Sequence, residues 1–246
     1  MSGHSKWHNI RLRKGKVDAQ RGALFTKLSK EIILAAKSGS SDPEANYRLK
    51  MAVEKARENN MPQDNIKRAI ARASGAGEKE IEEIRYEGYG PHGVAVVVDA
   101  ATDNRNRTAG ELRFLFSKNG GNFGETGSVA WMFDPVGIIV VDPAGRDEDA
   151  MTEAALVDGV VDLEYGEPTE LYTEPTALAE VRDALRGAGL KISDAYLGAR
   201  AKQKVQLQGD ELTAALNFLE ALEEHEDIQR VFSNIEVSEA ALEALA

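Results

Sequence analysis

Lys6, Arg11, Arg13, Lys14, Lys16 and Arg21 fall within the first 22 residues against one acid, Asp18, and Trp7 stands among them. Cations at that density suit the phosphates of a polyanion, and a single indole offers a plate on which a base can stack. A charge run is often no more than a solvated tail, or a tail folded against an acidic body. The composition of the rest of the chain favours the polyanion here. Residues 1–77 hold 16 Lys and Arg against 7 Asp and Glu, whereas the remainder holds 14 against 34, so a net charge of -11 conceals a basic leading third. A basic module on an acidic body grips nucleic acid locally and is held off it elsewhere.

Two further groups carry side chains suited to the same partner. Asn65, Arg68 and Arg72, with Lys67 beside them, recur at i, i+3 and i+7 on the side of a helix opposite Ile66, Ala69, Ile70 and Ala73. With the short turn before it, this helix is similar to the second helix of a helix-turn-helix, which reads base edges in a major groove. In TDNRNR, Asn104, Arg105, Asn106 and Arg107 open a helix. Cations disfavour a helix N-terminus by some tenths of a kcal/mol, and a bound phosphate reverses that sign. Neutralisation by Asp103 is the alternative account. Lys27 and Lys30 extend the basic character along the first helix.

Other chemistry is less well supported. Asp99, Asp103, Glu111 and Glu125 are acids that a magnesium-dependent nuclease would need to gather, yet no spacing demands it. His4 and His8 lack the surrounding signature of a zinc helix, and Ser2-Gly3-His4 would take copper or nickel only adventitiously. FSKNGGNFGETGS lacks the Lys-Ser/Thr ending of a phosphate-binding loop and reads as a turn region. No catalytic residue, metal ligand or cofactor is assigned. The chain has no cysteine, so disulfides and thiolate sites are excluded. It also has no apolar run long enough for a membrane span and no secretory h-region, so the expected compartment is the cytoplasm, with no membrane partner.

The elements that must hold these groups follow from periodicity. A helix from about Asp18 to Gly39 carries Phe25, Leu28, Ile32, Ala35 and Ala36 inward. A second is expected with Asp42 as N-cap and Pro43 at its first position, carrying an apolar stripe of Tyr47, Leu49, Ala52, Val53 and Ala56 and stopping at Asn59 and Asn60. The third begins at Pro62. IRYEGYG and GVAVVVDA read as a hairpin, TDNRNRTAGELRFLFSKNGG as a capped helix with Ala109, Leu112 and Phe116 inward, and SVAWMF as a strand. Then come GIIVVD, a helix over 146–158, VVDLEYG, PTELYTE, a helix over 175–186 capped by Thr173, and KISDAYLG. That order is a βαββαβ, or ferredoxin-like, unit. KVQLQ, a Leu-rich helix from Asp210 and the strand IQRVFSNIEV complete the chain.

GHSKWHNI, DAQRGALFTKLSKEIILAAK, SDPEANYRL, ENNMPQDNIKRAI, YEGYGPHGVA, TDNRNRT and GGNFGETGSVAWMF together resemble the YebC/PmpR family over more than half the chain. His8, His92, Ala101 and Phe123 depart from its usual residues. The resemblance implies an α+β protein without a cofactor. It implies an N-terminal three-helix domain over 1–77, a middle α+β domain over 78–133 and 203–246, and a ferredoxin-like domain over 134–202 inserted into the middle one. It also implies a DNA-binding transcriptional regulator, or alternatively a translation factor meeting ribosomal or transfer RNA on the ribosome.

Overall fold

The computed structural model describes residues 17–75 and 80–237, the side chains of 17–21 excepted. The chain is α+β and divides into two compact units. One runs to Ala130 and resumes over Asp210–Val231; the other comprises Trp131–Gly209 and the segment from Phe232.

The first unit opens with three helices, α1 (Val17–Lys37), α2 (Tyr47–Glu58) and α3 (Gln63–Ser74). Leu28, Ile32, Leu49, Ala52, Val53, Ala56, Ile66 and Ala69 are buried together, the apolar stripes that the 3.6-residue period requires. Their core continues into the sheet through Ile81 and Ala101. The start of α2 corrects the sequence reading. Asp42 and Pro43 lie in a turn, and the N-cap is Asn46, whose Oδ1 accepts from Leu49 N at 3.1 Å. Its amide also donates to Ala35 O and Ser40 O, both at 2.7 Å, so one buried side chain starts α2 and satisfies a carbonyl in the last turn of α1. Asp42 has no such second role and caps only its local turn.

β1 (Glu82–Tyr89) and β2 (Ala95–Thr102) pair antiparallel across the Pro91–Gly93 turn, in which His92 takes a left-handed φ of 58°. β3 (Asn122–Phe123) lies on the far side of β1, and β9 (Ile228–Ser233) adds beside β2, giving the order β3-β1-β2-β9. α4 (Arg105–Lys118) and α7 (Gly209–Glu223) bury Leu112, Phe116, Leu212, Leu216, Phe218, Leu219 and Leu222. Ala109 is half-buried, and Thr108 takes a buried place on α4 instead. A Cβ on Gly88 would lie 2.5 Å from the Phe116 ring, so only glycine lets α4 approach β1 this closely.

In the second unit β4 (Phe133–Asp142), α5 (Glu148–Ala154), β5 (Val160–Glu164), β6 (Thr169–Thr173), α6 (Leu178–Gly187) and β7 (Lys191–Ala201) follow in chain order. The strands form an antiparallel sheet ordered β5-β6-β4-β7. Ile139, Val141, Leu171, Met151, Val181 and Leu185 make its core. β8 (Val205–Gln206) and β10 (Ile235–Glu236) form a short parallel pair.

Three sequence expectations are revised. SVAWMF is not a strand: Ala130–Met132 is a 3-10 turn, and Phe133 begins the strand that also contains GIIVVD. The backbone N–H groups of Val129 and Ala130 turn inward to a side chain instead of joining a ladder. The helix of 146–158 is limited to Glu148–Ala154 with Asp147 as its cap. Thr173 belongs to β6, its hydroxyl donates to Glu174 O, and α6 begins only after a 3-10 turn over Pro175–Ala177.

Candidate nucleic-acid interface

Helix α3 begins after Pro62, which lacks a donor where none is needed, and carries Asp64 in its first turn and Arg72 in its last, both matched to the helix dipole. Four residues, 59–62, separate it from α2, and Asn60 turns the chain with a φ of 58°. Ile66 and Ala69 anchor the helix. Lys67, Arg68 and Arg72 are exposed on its outward side, and Asn65 is half-buried at the edge. Lys67 and Arg68 pair with no acid among the described residues. Arg68 and Arg72 stand one turn apart, a like-charge arrangement that costs an isolated helix a few tenths of a kcal/mol.

The other cations are treated differently. Asp227, fully buried, receives Lys30 Nζ, Arg107 Nη2 at 2.8 Å and the Thr108 hydroxyl at 2.6 Å. Burial alone would push its carboxyl up; the hydrogen bonds from Lys30, Thr108 and Arg107 outweigh this and bring the pKa down to about 2. Arg107 also pairs with Asp103 at 3.2 Å, the local neutralisation considered from the sequence. Asp227 N donates to His225 Nδ1 at 3.1 Å, which leaves the His225 proton on Nε2, 3.0 Å from Glu111 Oε2. Glu111, His225 and Asp227 thus come together as a metal trio would. Two cations already fill the Asp227 oxygens, however, so the cluster is an internal ion network. Lys27 donates to Glu223 O at the end of α7, and burial, partly offset by the Glu223 charge, pulls its pKa down to about 8.

The remaining predicted residues are distributed as follows. Lys6, Trp7, Arg11, Arg13, Lys14 and Lys16, with His4 and His8, lie outside the described residues. Arg21 lies in α1, with its side chain likewise outside them. Asn104 is the N-cap of α4 and accepts from Arg107 N at 3.1 Å; Arg105 and Asn106 are exposed in the first turn. The acids considered for a nuclease are not gathered. Asp99 is held by Arg85 at 2.7 and 2.8 Å, Asp103 by Arg107, and Glu125 is exposed in a loop.

Two anchors give no sign of themselves in the sequence. One is Asp227, hidden in an acidic run, EEHED, that reads as a solvated surface. The other is Glu87, buried in β1, whose carboxylate accepts from the backbone N–H groups of Gly127, Val129 and Ala130 at 2.7–2.9 Å. Burial raises its pKa, and those three hydrogen bonds reverse the shift to a net lowering. The Gly-rich segment thus carries the short strand β3 between turns, and its end is pinned around a buried carboxylate.

A family model described as TACO1/YebC protein N-terminal domain matches residues 5–76, and one described as TACO1/YebC second and third domain matches residues 81–235. A protein of Pelotomaculum thermopropionicum called a probable transcriptional regulatory protein is 50% identical over 97% of this chain and 100% of its own length. One of the same designation from Dictyoglomus turgidum is 46% identical over the whole of both chains. The crystal structure of a conserved hypothetical protein from Aquifex aeolicus superposes with a TM-score of 0.85 at 42% identity, covering 91% of this chain and 93% of that one.

Proposed function

The chain belongs to the TACO1/YebC family, and from that premise we propose that it is a regulatory protein that binds DNA and controls transcription. The observation that carries this reading is the sorting of cations. Lys30 and Arg107 are spent on Asp227, while Lys67 and Arg68 face outward on a helix that follows a four-residue turn. Phosphates would meet Lys67 and Arg68 and release counterions on binding. The turn with a left-handed Asn60 supports helix-turn-helix docking, in which Asn65 and Arg68 reach base edges. The basic segment of residues 6–16 supplies further phosphate contacts in this reading. The designation of the relatives as probable transcriptional regulatory proteins supports the same role. No catalytic step is assigned.

The test is crosslinking in cells followed by sequencing of the nucleic acid recovered with the protein. Enrichment of promoter-proximal DNA is expected. Recovery of ribosomal or transfer RNA in its place would overturn the transcriptional reading in favour of action on the ribosome.

A further inference from the structure

The two flanks of α4 have opposite fates. On one, Arg107 and Glu111 are engaged by Asp227 and His225. On the other, Arg105 and Arg113 face β1 and β3, about 12 Å apart along the helix. Between them lie two aromatic rings, Tyr86 on β1 and Phe123 on β3, with centroids 5.7 Å apart and planes tilted by 45°. Both rings are half-buried, and β3 is the edge of its sheet. Arg113 sits with its guanidinium carbon 5.4 Å from the Phe123 centroid and pairs with no acid among the described residues. The Tyr86 hydroxyl donates to Arg105 O at 3.3 Å, which fixes the ring beside the positive end of α4. Glu82 stands 3.9 Å from Arg105, and both side chains are well exposed, an arrangement a phosphate displaces readily.

We propose that Tyr86, Phe123, Arg105 and Arg113 form a stacking site for a short single-stranded nucleic-acid segment. Arg113, which lies over the Phe123 ring, swings to a flanking phosphate as a base takes its place on that face, and Arg105 takes the phosphate on the Tyr86 side. Aromatic plates between cations bind single strands irrespective of sequence, because every base has a π face. The proposal rests on the nucleic-acid reading but not on α3. It resolves the pair in TDNRNR: Arg107 is structural and Arg105 is left for phosphate.

Fluorescence anisotropy with labelled twelve-nucleotide oligo(dT), oligo(rU) and a DNA duplex tests it. Phe123→Leu and Arg113→Gln should each weaken single-strand binding about fivefold or more, while Phe123→Tyr, which keeps the ring, retains it. Arg113→Gln should also lower the salt slope by about 0.7, and duplex affinity should not change in either variant. Preference between the two oligomers identifies the strand chemistry. Arg113 is exposed, so its replacement reports on binding without threatening the fold. Unchanged single-strand affinity in both variants would overturn the proposal, as would equal losses for duplex and single strand. Loss of duplex binding in Lys67→Ala with single-strand binding intact would strengthen it and bears separately on α3.

Discussion

Asp227 ties three elements of the first unit together. Its buried carboxylate joins Lys30 of α1 to Arg107 and Thr108 of α4, and its backbone carbonyl accepts from Ala101 N of β2 at 2.7 Å. Replacement by Asn removes the charge but leaves two cations beside a neutral amide, so Asp227→Asn should lower stability by about 2–4 kcal/mol in urea unfolding. The pH dependence has a definite sign. Because the folded-state pKa of about 2 lies below the ordinary 3.8, the stabilisation is complete above the ordinary value and is lost as pH falls from about 4 towards 2. The Asn variant should show a flatter stability profile over that window. This centre is invisible in the sequence because Arg107 and Thr108 lie about 120 residues from Asp227 and Lys30 nearly 200. An acid gives no local sign of what it will meet. Arg107 is legible only as a choice between phosphate and internal acid. Asp103 is the foreseeable partner, and Asp227 is not.

Among the elements, α2 and α3 form the hinge of the functional reading. α3 is readable because its apolar and polar sides separate cleanly at helical spacing, from Ile66 and Ala69 to Lys67, Arg68 and Arg72. The start of α2 is not. Asp42-Pro43 has the local chemistry of a helix start, but Asn46 satisfies three backbone groups at once and wins through tertiary contacts. Asn46→Ala should therefore cost about 1–3 kcal/mol, more than loss of an exposed cap, in thermal or denaturant unfolding. SVAWMF departs from its expected strand for a related reason. Its alternating apolar residues suit a strand, but Glu87 draws the Val129 and Ala130 N–H groups to itself.

At the scale of the molecule, the basic leading third and acidic remainder are not simply segregated. Part of the basic third is neutralised within the first unit: Lys30 by Asp227, Lys37 by Glu80, Arg48 by Glu83, and Glu31 draws in Lys55 and, from β9, Arg230. Counting charges overstates the surface available to a polyanion. What remains in the described residues is narrower, and includes Lys67 and Arg68 on α3, Arg57 on α2 and the Arg105–Arg113 flank of α4. The order of strands and helices is legible from periodicity and turn residues. The return of β9 to the side of β2 follows only from the family resemblance, since a strand such as IQRVFS carries no address for its neighbour.

The central claim is that outward cations bind and inward cations hold the fold, and the salt dependence of DNA-duplex affinity separates these roles. Lys67→Ala with Arg68→Ala should weaken binding and reduce the slope of log affinity against log salt by about 1.8, at about 0.9 for each phosphate no longer neutralised, with little change in melting temperature. Lys30→Met should lower the melting temperature and leave the slope of the folded protein intact. An unchanged slope in the α3 double variant, or a slope lost in Lys30→Met and kept in the double variant, would contradict the account.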